Sequence, residues 1–289
     1  MYPASFQYSA PTTVDETVAL LAEIGDDGRV LAGGQSLLPM MKLRLAAPAH
    51  LVDINGVGGL GDITVNGGLQ IGALVRHADI VGNDTVASAS PLIAATAPWV
   101  ADPLVRNRGT VCGSIAHCDP EGDWNSVMLA LGAEVLVQGP DGERTISIDD
   151  FVVDFFTNSL QPGEMVTGVR VPRADARTGG AYLKLERKIG DYATVGVAVH
   201  LRTGDDGKIT EAGIGLTSVG HKNLKAADAE SMLVGNAPSD ELFNEAAASA
   251  AATADPVSDV RGPAEYKRAV VQAYARRGLA ECMNQIQEA

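Results

Sequence analysis

The stretch VRNRGTVCGSIAHCDPEGD, Val105 to Asp123, decides how the rest of the chain is read. A charged entry (Arg106, Asn107, Arg108) leads into a glycine turn at Gly109-Thr110. Small residues follow from Val111 to Ser114, then polar ones as far as Asp123. Neither a helical nor a strand period persists, so the stretch is poor at building a core and suited to wrapping something. Glycine lets a backbone approach a ligand closely, and successive free N–H groups form a concave anion site. A second such segment, AGGQS, stands at Ala32 to Ser36 directly after the apolar run Val30-Leu31-Ala32, read as a buried strand. The expectation is that these two loops converge and that each holds half of a dinucleotide's phosphates. Taken singly, each loop is also explained as an ordinary turn, because glycine pairs are common punctuation.

Working outward, 289 residues suffice for two or three subdomains. A content of 46% hydrophobic and 20% charged residues is that of a globular protein. No apolar run is long enough to span a bilayer. The start, MYPASFQYSAPTT, lacks the basic and apolar regions of a signal peptide. The net charge of −14 disfavours nucleic acid and anionic membranes as partners. Cys112, Cys118 and Cys282 fit reduced cytoplasmic thiols better than a disulfide framework.

On the N-terminal side, Phe6 to Tyr8 reads as a short strand. Thr13 and Glu16 form a capping-box pattern ahead of helically spaced Val14, Val18, Leu21 and Ala22, closed by Gly25. Met40 to Leu45 reads as a short helix and Leu51 to Ile54 as a strand, giving a small βαβ-like first unit. Asn66-Gly67-Gly68 between Ile63-Thr64-Val65 and Leu69-Gln70-Ile71 marks a hairpin. His77 to Val81 and Ser90 to Val100 read as helices, the second with Pro91 near its start. Beyond the central stretch come a helix at Ser126 to Gly132 and strands at Glu134 to Gln138, Thr145 to Ile148 and Glu164 to Val171. Three further strands, Ala181 to Leu185, Thr194 to Arg202 and Ile209 to Thr217, precede helices at Glu241 to Ala254 and from Pro263 to about Gln287.

Other motifs count for less. GxGxxG occurs at Gly56, Gly58 and Gly61, but a hairpin and not a helix follows, so no helix N-terminus awaits a pyrophosphate. The five histidines have no zinc spacing, Cys112 and Cys118 do not form CxxC, and no GxSxG occurs. We therefore expect no catalytic side chain and no metal site in the chain itself, and a cofactor to carry the chemistry. Asp123 reads as an acceptor for a sugar or ribityl hydroxyl, as a helix N-cap, or as both together. Lys188 to Ala193 reads either as the cover of a flat ring, through Asp191 or Tyr192, or as a hairpin turn. Lys184, Glu186, Arg187 and Lys188 read most simply as a solvated strand edge.

At this point AGGQSLLP, VRNRGTVCGSIAHCDPEGD, LERKIGDYATV and DVRGPAEYKRAV resemble, in order and spacing, the FAD-binding (medium) subunits of molybdenum hydroxylases. The branch serving aerobic carbon monoxide dehydrogenase is the most similar, chiefly through RKIGDYA. The resemblance implies an α+β, vanillyl-alcohol-oxidase-like (PCMH-type) FAD fold. Lobes at residues 1–57 and 58–177 would bind FAD, followed by a C-terminal domain of antiparallel sheet and helices at 178–289. It implies non-covalent FAD contacts at Ala32, Gly33, Gly34, Gln35, Ser36, Leu37, Thr110, Gly113, Ser114 and Asp123, with Lys184, Asp191 and Tyr192 near the isoalloxazine. It further implies a large molybdenum-cofactor subunit and a small iron–sulfur subunit as partners, in a dimer of heterotrimers oxidising CO with water to CO2. Electrons would go to a quinone or another acceptor, in a cytoplasmic complex with any link to the inner face of the membrane made through its partners. Other substrates (N-heterocycles, purines, aldehydes) and a non-redox scaffold are the alternatives. Two departures stand out. Cys112 occupies a position where the family usually has glycine, so a positive φ there would be strained. Gln35 stands where the nearest relatives often have histidine.

Overall fold

The computed structural model describes residues 2–289. Strand β1 (Gln7–Ser9), helix α1 (Val14–Ile24), β2 (Gly28–Leu31), α2 (Leu37–Leu43) and β3 (His50–Asp53) make the first unit. Its three strands are parallel in the order β1-β3-β2. Thr13 caps α1 by accepting from Glu16 N–H, and the Glu16 carboxylate reaches back to Thr12 N–H. Val18 and Leu21 then face inward at helical spacing.

A second unit begins with β4 (Ile63–Val65) and β5 (Leu69–Gly72), joined by the expected Asn-Gly hairpin. Short helices α3 (His77–Ile80), α4 (Asp84–Ala89), α5 (Pro91–Thr96), α6 (Pro103–Arg106) and α7 (Val111–His117) follow, then α8 (Asp123–Leu131). Strands β6 (Glu134–Gly139) and β7 (Gly142–Ser147) and helix α9 (Ile148–Phe151) lead to a small hairpin of β8 (Val152–Asp154) and β9 (Thr157–Asn158), and then β10 (Met165–Val171). The antiparallel order β4-β5-β10-β6-β7 places the last strand in the middle of this sheet.

The third unit is an antiparallel sheet of β11 (Thr178–Leu185), β12 (Val195–Thr203), β13 (Ile209–Thr217) and β14 (Leu224–Lys225). Helices α10 (Ala227–Leu233), α11 (Asp240–Thr253) and α12 (Ala264–Glu288) complete it. Both faces of this sheet are covered, and adjacent glycines show how. A Cβ on Gly179 would strike the Cys282 backbone of α12, and one on Gly180 the Leu92 backbone of α5. Successive residues of a strand point to opposite faces, so the two glycines admit a helix on each side. Gly213 and Gly215 of β13 do the same for α8, all nine residues of which are buried. Helix α8 thus lies between the second unit and the C-terminal sheet, and its first residue is Asp123.

Two sequence expectations are corrected. Val105 to Asp123 is not one continuous loop, because it contains the end of α6 and all of α7. The apolar stripe of α7 is only Val111, Cys112 and Ile115, too short to register as a period. Strand β2 is half-buried where full burial was expected: it is the edge of its sheet and borders a cleft, although Val30 still packs against the core.

Candidate functional site

The two glycine segments touch. A Cβ on Gly33 would lie 2.3 Å from Arg108 O and 2.7 Å from Gly109 Cα, so only glycine permits the approach. Gly34 has φ +72°, which an L side chain rarely adopts. Leu38 N–H donates to Gly34 O as the chain enters α2. Among the described residues, no hydrogen bond within the protein engages the N–H groups of Gly33, Gly34, Gln35 and Ser36. These are the donors that an anion would satisfy.

Thr110 is the N-cap of α7, its Oγ1 accepting from Gly113 N–H at 3.1 Å. A Cβ on Gly113 would stand 2.5 Å from that oxygen, which accounts for the glycine. Cys112 is an ordinary helical residue whose φ is not positive. Its thiol points at Ile71 O and Gly72 O in the core, at 3.6 and 3.7 Å. Burial pushes the thiol pKa up to about 12, so it stays protonated. Cysteine in place of the family's glycine therefore strains nothing here.

Asp123, which also lines the cleft, is the first residue of α8, while Gly122 holds the N-cap position. Its Oδ1 accepts from Tyr182 Oη–H at 2.6 Å and its Oδ2 from Lys184 Nζ at 3.0 Å. Lys184 also donates to Trp99 O at 3.0 Å and lies 3.7 Å from Glu186 Oε2. The lysine side chain is 1% exposed and the aspartate 6%, so the expected solvated strand edge is instead a buried ion pair. The period-two spacing of Tyr182 and Lys184 puts both on one face of β11, towards α8. Burial raises the Asp123 pKa, while Lys184 and Tyr182 oppose the rise. The Tyr182 phenol is held well above its ordinary value by burial and by Asp123.

Asp191 and Tyr192 lie in the turn after β11, where Gly190 takes φ +84° against the backbone of Ala101 and Asp102. Asp191 accepts from Tyr192 N–H at 2.9 Å and pairs with Arg187 at 3.3 Å. Tyr192 is half-exposed, and its hydroxyl is pushed up to about 12 by burial and by the carboxylates of Asp119 and Glu121. Arg261 ties the neighbouring backbone down, donating to Ala193 O and pairing with Glu121.

Every residue expected at the ligand, from Ala32 through Leu37, then Thr110, Gly113, Ser114, Asp123, Lys184, Asp191 and Tyr192, lines one cleft of about 1210 Å³. That exceeds the usual span of a small-molecule pocket, roughly 300–1,000 Å³, as an extended ligand requires. Sequence reading missed Tyr182, which carries no motif, and His77. His77 backs the second turn: its Nε2 would lie 2.8 Å from a Cβ on Gly109, and its Nδ1 accepts from Trp124 Nε1 at 3.1 Å. Burial, then Arg106 and Arg76, lower its pKa to about 4, so the ring is neutral.

Residues 4–174 match the family described as "FAD binding domain in molybdopterin dehydrogenase", and residues 180–282 match "CO dehydrogenase flavoprotein C-terminal domain". The carbon monoxide dehydrogenase medium chain of Afipia carboxidovorans is 41% identical over 280 residues, covering 96% of this chain and 97% of that one. The 6-hydroxypseudooxynicotine dehydrogenase complex subunit alpha of Paenarthrobacter nicotinovorans is 37% identical, covering 98% and 96%. The solved structure of carbon monoxide dehydrogenase from Hydrogenophaga pseudoflava superposes with a TM-score of 0.95 at 42% identity, covering 99% of both chains.

Proposed function

Because this chain belongs to the family of FAD-binding subunits of molybdenum-containing dehydrogenases, we propose that its cleft holds one FAD non-covalently and that the chain serves electron transfer. The observation that carries this reading is the backbone contact of Gly33 with Arg108 and Gly109, which brings the open amides of the first turn beside the second turn on one cleft. The free amides from Gly33 to Ser36 and the Ser114 hydroxyl are suited to a diphosphate. Asp123 retains unused lone pairs on oxygens already held by Tyr182 and Lys184, so it can also accept from a ribityl hydroxyl. Lys184, Asp191 and Tyr192 would border the ring system. Bound flavin supplies redox chemistry that no side chain of the cleft has, and the protein's share is binding, orientation and electrostatic tuning.

In this reading residues 1–57 and 58–177 are the two FAD-binding lobes and 178–289 the C-terminal domain. The chain is the medium subunit of an aerobic molybdenum carbon monoxide dehydrogenase that converts CO and water to CO2. A large subunit carries the molybdenum cofactor and a small one the iron–sulfur clusters, in a dimer of heterotrimers with a quinone or other acceptor. The complex is cytoplasmic, with any membrane association through its partners. A second reading keeps the FAD site and changes the substrate, supported by the 37% identity to a subunit named for an oxidised nicotine derivative. The tests are direct. The purified full chain should show flavin absorbance or acquire it on adding FAD, and its absence contradicts the FAD site. The intact complex should oxidise CO; oxidation of N-heterocycles without CO activity favours the second reading.

A further inference from the structure

Among the described residues no hydrogen bond runs directly between the turn at Gly33-Gly34 and the turn at Arg108-Gly109, although their backbones touch. A connection runs behind them, through side chains outside the lining of the cleft. Asn55 Nδ2 donates to Ala32 O at 2.9 Å. Asn55 Oδ1 accepts from Arg76 Nη2, and Arg76 Nη1 donates to Arg108 O at 2.6 Å. One asparagine and one arginine thus join the carbonyl of the first turn to that of the second.

The surroundings hold this relay in place. Asn55 is fixed by Asp53, whose Oδ1 accepts from both its backbone and side-chain N–H groups. Tyr8 donates to the other oxygen of Asp53 at 2.7 Å. The backbone of Arg76 pairs with Thr110 in an isolated bridge, and Asp79 accepts from Arg76 N–H at 2.8 Å. Both arginine bonds use the fork of a planar guanidinium, which meets two acceptors in a set geometry. The relay also settles an orientation. In a trans peptide the N–H points opposite to the preceding C=O. With Ala32 O drawn back towards Asn55, Gly33 N–H faces the opposite side.

We propose that Arg76 is a positioning residue that, acting through Asn55, sets the gap between the two turns and so the affinity for a diphosphate. This rests on the FAD reading of the cleft. Arg76 is not among the residues lining the cleft, so it works by geometry, not by presenting its charge to phosphate.

The experiment titrates flavin-free full chain with FAD and with ADP, a probe that keeps the diphosphate without the flavin. Arg76→Ala should weaken both by about 10- to 100-fold, the worth of one or two charge-assisted hydrogen bonds. Arg76→Lys should weaken them as much, because an ammonium keeps the charge but not the fork. The melting temperature of the flavin-free protein should move little in either variant. Wild-type ADP affinity in Arg76→Ala, or its full return in Arg76→Lys, overturns the proposal. Should Arg76→Ala fail to fold, Asn55→Ala removes the same link from an exposed side chain, and undiminished ADP affinity there overturns it equally. Wild-type chain that binds neither FAD nor ADP sinks the FAD reading itself, a separate result.

Discussion

Gly33 carries more of this account than any other residue. An added methyl would stand 2.3 Å from Arg108 O, so either the two turns part or the backbone distorts. We expect Gly33→Ala to cost about 1–3 kcal/mol in stability and to leave the purified chain without flavin, read by urea unfolding and by absorbance. His77 supplies a pH dependence. Its folded pKa of about 4 lies below its ordinary 6.5, chiefly through burial. The neutral ring therefore contributes stability above pH 6.5 that is lost as pH falls towards 4. The loss is on the order of 3 kcal/mol. His77→Gln should flatten that part of the stability profile, and an unchanged profile contradicts the assignment. The glycine pairs were legible in the sequence because a missing side chain is itself a signal. His77 was not legible, because what matters is its burial behind Gly109, a tertiary fact.

At the level of elements, the packing of α8 against β13 sets where Asp123 stands in the cleft. Gly215 lets the strand approach so closely that a Cβ would lie 1.9 Å from Ser126 O. Gly215→Ala should push α8 away, cost about 3 kcal/mol or more and displace Asp123; urea midpoints and flavin content read the two effects. Tyr182→Phe should cost about 1–3 kcal/mol, since buried Asp123 loses a donor that nothing replaces. Most elements were readable from their periods, among them the Asn-Gly hairpin, the three long C-terminal strands and the final helix. Helix α7 was not, for its seven residues present too brief an apolar stripe. The Lys184 pair was misread for a different reason. A run of charges looks solvated until a helix from elsewhere in the chain covers it.

Across the molecule, the chain brings a phosphate-type cradle and the buried Asp123-Lys184 pair to one cleft. Segments far apart in sequence line it, which is why no local pattern revealed its shape. The resemblance linked these segments because it rests on their order and spacing along the chain. Among the described residues no helix is long and apolar enough to cross a membrane. If the cleft holds flavin as proposed, the intact complex should lose electron transfer, but not assembly, when Gly33 is enlarged. The most direct measurement is a crystal structure of the full chain with FAD. It should place the diphosphate between Gly33–Ser36 and Thr110–Ser114, within hydrogen-bonding distance of main-chain amides of the first turn and of the Ser114 hydroxyl. A diphosphate bound elsewhere, or bound by one turn alone while the other faces solvent, would contradict the account.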